Sequence, residues 1–260
     1  MITLTDQDGF AVREGTTDAM AVMALANDEY RLAGRNLSGW AFDVGAHIGT
    51  VALTMARQYH DLRVVAVEAV PENSELLEAN IRRFGLTDRV FSIRAWAAGP
   101  NDLTGTCHYG YKGHRDTESD GYISAHRFIG NTWTDLAGPE FSVEMPAVSI
   151  DSLLETYNIP EVSLLKIDCE GCEWAFLDTP AVSRVQTIVG EYHGGYPGKP
   201  GHQPDPHQKL RDLLDRTHHV SIWQPEETVV GLFEATRRSV GHIGNDWPIN
   251  PAKSSNAWAG

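Results

Sequence analysis

Two hydrophobic patterns alternate along the first part of the chain. Trp40 to Val44 is a short apolar run, and LRVVAVEA, Leu62 to Ala69, is a longer one rich in valine. Both have the length and composition of buried strands. Between them, Thr50 to Tyr59 reads as a helix. PENSELLEANIRRFG follows, with Pro71 at a helix start and Gly85 at its end. Val90 to about Arg94 predicts a third strand. Strand, helix, strand, helix, strand points to a parallel α/β sheet.

On either side the pattern changes. Residues 16–33, TTDAMAVMALANDEYRLA, predict a helix opening at a Thr cap, so residues 1–39 form an N-terminal helical segment. Residues 101–141 are rich in Gly, His, Asp, Thr and aromatics and keep no period. A structureless stretch that long tends to carry function. Residues 101–147 are therefore read as an insertion. Within it, Cys107 to Phe128 and the aromatics Tyr109, Tyr111, Tyr122, Phe128 and Trp133 suit a substrate lid; a solvated surface loop is the other reading. Order returns at VEMPAVSIDSLLETY, an edge segment and a helix. VSLLKIDCEG and TIVGEYHGG, the latter reaching Tyr192, are two more strands. A Gly/Pro loop over 194–206, a helix in HQKLRDLLDRT and a closing antiparallel pair in HVSIWQ and VVGLFEATR complete the chain. Residues 246–260 read as a flexible tail. With no internal repeat and no linker, the 260 residues predict one domain.

Composition narrows the class. Hydrophobic residues make up 42% of the chain, enough for a sizeable core. No apolar run is long enough to span a bilayer, and MITLTDQDGFAVREG lacks the regions of a signal peptide. Three cysteines make no disulfide framework. A cytoplasmic protein without a membrane partner is the expectation. The net charge of −14, without a basic block, disfavours nucleic acid. The oligomeric state stays open, a homodimer being compatible.

The candidate chemistry starts at FDVGAHIGTVALTMA. Asp43, Gly45, Ala46, His47 and Gly49 form a turn between the first strand and its helix. Glycines there let backbone approach a ligand. Glu68 ends the next strand, where a carboxylate can accept hydrogen bonds from both ribose hydroxyls. His47 occupies the place where a dinucleotide fingerprint needs its second glycine. A nucleoside without phosphates, such as S-adenosylmethionine, fits better than a pyrophosphate. An ordinary α/β turn with two glycines would look the same.

Further along, LLKIDCEGCEWAFL, with VSIDSLL upstream and GEYHG downstream, resembles the FkbM family of S-adenosylmethionine-dependent methyltransferases. That family has a strand ending in K-I-D-x-E-G-x-E, here Lys166 to Glu173, a DVGAxxG turn, here Asp43 to Gly49, and an acid after the second strand, here Glu68. The resemblance covers roughly residues 40 to 194, with the middle unmatched. Ala69 departs from a frequent proline, and Cys169 and Cys172 fill small apolar positions. The resemblance implies a class I, Rossmann-like methyltransferase fold: seven mostly parallel strands, the last antiparallel, with an insertion after the third or fourth sheet region. It implies that the Asp43–Gly49 turn holds the methionine part, that Glu68, with Ala69 beside it, holds the ribose, and that Ala95 and Trp96 lie near the adenine. Trp96 can stack there or fill the core.

Sites on open α/β sheets form at the carboxyl ends of strands. Asp168, Glu191 and His193 are the catalytic candidates. His193 is the first choice as base, oriented by Glu191, with the insertion histidines His108, His114 and His126 in reserve. Asp168 can bind the cofactor amine, orient the acceptor, act as base or pair with Lys166. Glu170 and Glu173 suit the following turn and helix start. Asp168, Glu191 and His193 could take magnesium, yet their spacing carries no metal signature, so no metal is expected. CEGC, without a second C-x-x-C, reads as packing. Proteins that resemble this one often methylate hydroxyls on sugars or polyketide-type products. The expected reaction is therefore O-methylation of a small molecule in natural product biosynthesis. Methylation of nitrogen or carboxylate, an NAD-dependent oxidoreductase and a non-catalytic nucleotide-binding protein are the rivals.

Overall fold

A computed structural model describes residues 4–14, 16, 18–109, 112–113, 123–124, 127–129, 141–194, 203–223 and 230–238. In chain order the elements are β1 (Leu4–Gln7), β2 (Phe10–Arg13), α1 (Asp18–Ala26), β3 (Gly39–Val44), α2 (Thr50–Gln58), β4 (Leu62–Glu68), α3 (Pro71–Arg83), β5 (Val90–Arg94), β6 (Trp96–Ala97) and β7 (Thr104–Tyr109). Then come β8 (Lys112–Gly113), β9 (Ile123–Ser124), β10 (Arg127–Ile129), β11 (Phe141–Val148), α4 (Ile150–Thr156), β12 (Val162–Ile167), α5 (Glu173–Phe176), β13 (Val185–His193), α6 (Pro206–Leu214), β14 (His218–Ile222) and β15 (Val230–Arg237).

The main sheet has seven strands in the order β14-β15-β13-β12-β3-β4-β5. From β13 to β5 all neighbours are parallel. The last strand, β15, runs antiparallel between β13 and β14. This is the arrangement the sequence resemblance implies. Successive residues of a strand point to opposite faces, so these strands feed two cores. Phe42, Val65, Val67, Leu165 and Ile188 pack on one face with α4, α5 and α6. Ala41, Val64, Ala66, Leu164 and Val189 pack on the other with α2 and α3. Among the described residues no helix is long and apolar enough to cross a membrane.

The N-terminal segment differs from its predicted helix. Residues 4–13 form a β-hairpin, with Gln7 opposite Phe10 across the two-residue turn Asp8–Gly9. Both turn residues have positive φ, 50° and 88°, which an Asp-Gly pair accommodates at low cost. The helix then starts at Asp18 and stops at Ala26, not at Ala33. Past its end, Asp28 accepts the amides of Leu32 and Ala33 with its carboxylate.

The insertion is partly strand. β6, β7, β10 and β11 make a four-stranded sheet in the order β10-β7-β11-β6. Trp96 packs flat on Gly105, where an added Cβ would come within 2.4 Å of the indole. Trp96 is partly buried against the core, which is one of the two roles open to it. Tyr111, Tyr122, Trp133, His114, His126 and the 246–260 tail lie outside the described residues.

Candidate active site

The carboxyl ends of β3, β4, β12 and β13 bring Asp43, Glu68, Asp168, Glu191 and His193 to one edge of the sheet. The turn after β3 is shaped by glycine. A Cβ on Gly45, at φ 76°, would sit 1.7 Å from the carbonyl oxygen of Asp168. Gly49, at φ 91°, begins α2. Gly45→Ala is expected to destabilise the protein by about 2–3 kcal/mol, combining left-handed strain with displacement of the end of β12. Gly34→Ala is the control: its φ is 74°, but nothing lies within 4 Å of its added Cβ. Equal melting temperatures for the two variants would remove the close approach as a cause.

Asp43 is fully buried and builds the turn. One oxygen accepts the Ala52 amide at 2.9 Å, and the other lies 3.3 Å from Lys166 Nζ. Lys166 in turn donates to the Gly45 carbonyl at 2.9 Å. Burial raises the proton affinity of Asp43, against the opposing pull of Lys166. Burial also works against the Lys166 charge, but Asp43 and Asp168 overcome it and hold the ammonium above its usual range.

Glu68 is just 1% exposed. It accepts the amides of His47 and Val70 at 2.8 and 2.9 Å and the Asn73 side chain at 3.2 Å. The N-terminal segment closes over this corner. Arg13 makes two side-chain hydrogen bonds to Asp18 and a third to Asn73. Asp18 also lies 3.3 Å from His47 Nε2. Ala69 and Ala95 are buried beneath.

Beside this corner lies a cleft of about 640 Å³, within the usual range for small-molecule sites. One wall is apolar, from Met20, Ala24 and Leu25. Gly45, Ala46 and His47 border it, and Lys166, Asp168, Glu170 and Glu191 form the polar side. Of the cofactor residues expected from sequence, Gly45, Ala46, His47 and Asp168 line the cleft. Asp43, Gly49, Glu68, Ala69, Ala95 and Trp96 do not.

Four carboxylates surround His193, which is 3% exposed. Its Nδ1 lies 3.3 Å from Glu173. Its Nε2 lies 3.5 Å from Glu170, 3.6 Å from Glu191 and 4.0 Å from Asp168. Burial disfavours the imidazolium, but the charges of Glu170 and Glu173, the Glu173 hydrogen bond and Asp168 together carry the ring well above the ordinary histidine range. Its carboxylate neighbours favour the protonated ring, which disfavours it as a general base, and His193 does not border the cleft. The first-choice base therefore has to be replaced. Glu191 does border the cleft. Burial, then the repulsion of Asp168, pushes its carboxyl up to about 8, against the pull of His193.

Sequence reasoning missed the N-terminal contribution. Tyr30 donates to Asp168 Oδ2 at 2.9 Å across 138 residues of chain. Burial and the neighbouring charge of Asp168 hold its phenol well above the usual range. Glu29 lines the cleft, its carboxyl raised by burial and by Asp168. No spacing in NDEY announces either contact. Glu173 organises its turn as expected, accepting the amides of Gly171 and His193. Cys169 and Cys172 are buried, free thiols, as the packing reading requires.

Residues 43–220 match the family model described as the methyltransferase FkbM domain. The AMB antimetabolite synthetase AmbE of Pseudomonas aeruginosa is 28% identical over 220 residues. That match covers 75% of this chain and 10% of the relative, so the chain spans about a tenth of that protein's length. Among solved structures, the N-terminal domain of EvdMO1 with SAH bound is 13% identical over 91% of each chain, with a TM-score of 0.49. The precorrin-6y C5,15-methyltransferase of Geobacter metallireducens is 15% identical, covering 89% of this chain and 96% of that one, with a TM-score of 0.47.

Proposed function

Because the chain belongs to the FkbM methyltransferase family, we propose that it transfers a methyl group from S-adenosylmethionine to a hydroxyl of a small molecule, a sugar or polyketide-type product. The observation that carries this reading is the cleft itself, where a glycine turn after the first sheet strand meets carboxylates at the ends of the fourth and fifth.

The residues fit the cofactor. Glu29, Asp168 and Glu170 offer negative charge to a sulfonium and an ammonium group. Gly45 and Ala46 bring backbone to the same space. When bound, S-adenosylmethionine supplies an electrophilic methyl group on positively charged sulfur. The protein's part is alignment and proton removal. Alignment of the reacting groups can be worth about 7–11 kcal/mol. Tyr30 and Lys166 fix Asp168 from two sides, at 2.9 and 3.9 Å. A hydroxyl must lose its proton as the carbon–oxygen bond forms. Glu191, on the cleft wall, is the side chain placed to take it. His193, behind it, steadies the carboxylates. The net charge of −14 favours a small molecule over nucleic acid as acceptor.

Calorimetry tests the cofactor. S-adenosylhomocysteine should bind in the micromolar range, about −8 kcal/mol. Glu68→Ala should weaken it by about 1–3 kcal/mol, since Glu68 holds the amide of His47 and thereby the turn. A preference for NAD would overturn the reading, and unchanged affinity in the variant would remove Glu68 from it.

A further inference from the structure

We propose that Tyr30 is a positioning residue for cofactor binding, delivered to the site by a strap, residues 28–35, that is latched to the last two strands of the main sheet. This role rests on the methyltransferase reading, through the part that Asp168 plays in it. The strap lies outside residues 43–220, the stretch that matches the family model. Even so, it supplies Asp28, Glu29, Tyr30, Leu32 and Ala33 to the wall of the cleft.

Tyr30 holds one ion pair with both parts of its side chain. Its hydroxyl donates to Asp168 Oδ2 at 2.9 Å. Lys166 Nζ lies 5.3 Å from the centre of its ring, within cation–π range. Lys166 Nζ is itself 3.9 Å from Asp168 Oδ2. A neutral phenol fixes the direction of the carboxylate without cancelling its charge, and a further cation in the same place would compete with the cofactor's ammonium group. The phenol stays a donor, because burial and the charge of Asp168 hold its proton. Tyr30 is 8% exposed, so little water is at hand to take its place.

The strap is built to keep the ring there. Asp28 and Arg31, on either side of Glu29 and Tyr30, have positive φ, 49° and 51°. Aspartate tolerates that region, whereas arginine adopts it where the surroundings impose it. Here they do. The Arg31 amide donates to the Asp28 carbonyl at 2.8 Å, and Arg35 Nε donates to the Arg31 carbonyl at 2.6 Å. The Tyr59 hydroxyl, just past α2, donates to the Leu32 carbonyl at 2.9 Å. Two arginines then reach the edge of the sheet. The Arg31 guanidinium lies 4.0 Å from the centre of the Trp223 ring, directly after β14. Arg35 pairs with Glu234 of β15 at 3.1 Å. Held at residue 28 and again at 31–35, the strap leaves Tyr30 little freedom to turn away from Asp168.

Tyr30→Phe removes one oxygen and keeps the ring. Calorimetry should show S-adenosylhomocysteine bound about tenfold more weakly, the scale of one hydrogen bond to a charged group. The melting temperature should stay within a few degrees of the parent. A double-mutant cycle separates positioning from packing: in an Asp168→Ala background the same change should alter affinity less than about twofold, because the carboxylate it acts through is gone. Arg31→Gly with Arg35→Gln releases the latch without changing the cleft wall, and should weaken binding about two- to fivefold. Parent-like affinity in Tyr30→Phe, a loss accompanied by general unfolding, or an equal loss with and without Asp168 overturns the positioning role. Parent-like affinity in the double-arginine variant overturns the latch. No S-adenosylhomocysteine binding by the parent would sink the methyltransferase reading itself, a result that none of the variants can imitate.

Discussion

Glu191→Gln should lower kcat by about 10²–10⁴-fold, the usual contribution of a positioned base. The amide keeps the size and place of the side chain and loses the ability to accept a proton. Position near the reacting groups is the first requirement for a base, and here it separates two neighbours on one strand. Glu191 lines the cleft, and His193 lies behind it. S-adenosylhomocysteine affinity should stay within about twofold, because the fold of the glycine turn does not depend on Glu191. The measurement is kcat and product affinity for parent and variant once an acceptor is in hand. A variant within a few-fold of the parent would move the proton to Asp168 or Glu170.

Asp18→Ala should cost about 3–5 kcal/mol of stability, the usual result of leaving one partner of a buried ion pair alone. Asp18 and Arg13 are 0% and 5% exposed, and their closest atoms are 2.7 Å apart. For a chain of this size the loss corresponds to a fall in Tm of roughly 6–20 °C. Removing both charges together, as Arg13→Met with Asp18→Leu, should cost less than the single change. Acid should mimic the single change. Burial raises the Asp18 carboxyl, but the hydrogen bonds and charges of Arg13 and His47 outweigh it and hold it well below the usual carboxylate range. A lowered folded value means that its stabilisation is complete above pH 3.8 and drains away as pH falls further. Thermal melts at pH 7 and along a descending series check both statements. A melting temperature within a few degrees of the parent at pH 7 would contradict the buried pair.

Much of the fold was legible because period and burial agree. Val64 to Val67 alternates between two cores, so its composition had to be apolar throughout. The N-terminal hairpin was misread even though Asp8–Gly9 is a hairpin turn signal. The apolar run after Thr16 drew the helix reading toward it, and the strands on either side of the turn are only four residues each. The glycine turn and the strand-end acids were legible as types and positions. Their division of labour was not. Glu68 was expected to face a ribose, and the structure adds that it accepts the backbone amides of His47 and Val70 and the Asn73 side chain. Glu170 was assigned to local helix chemistry, yet the turn gives it φ 58° and brings its carboxylate within 3.5 Å of His193. Trp96 could serve ligand or core on size alone; the missing side chain of Gly105 makes room for one side of its indole.

The place of β15 has a consequence for synthesis. Within the main sheet β14 bonds to β15 alone, and β15 fills the gap beside β13. A ribosome delivers β13 first, β14 second and the strand between them last. Until residues 230–237 emerge, β14 has no partner in that sheet, and the edge of β13 that ends in Glu191 and His193 is open. An open strand edge is a template for another chain. The nascent protein thus carries its reactive carboxylates on its stickiest border, and the last eight-residue strand seals it.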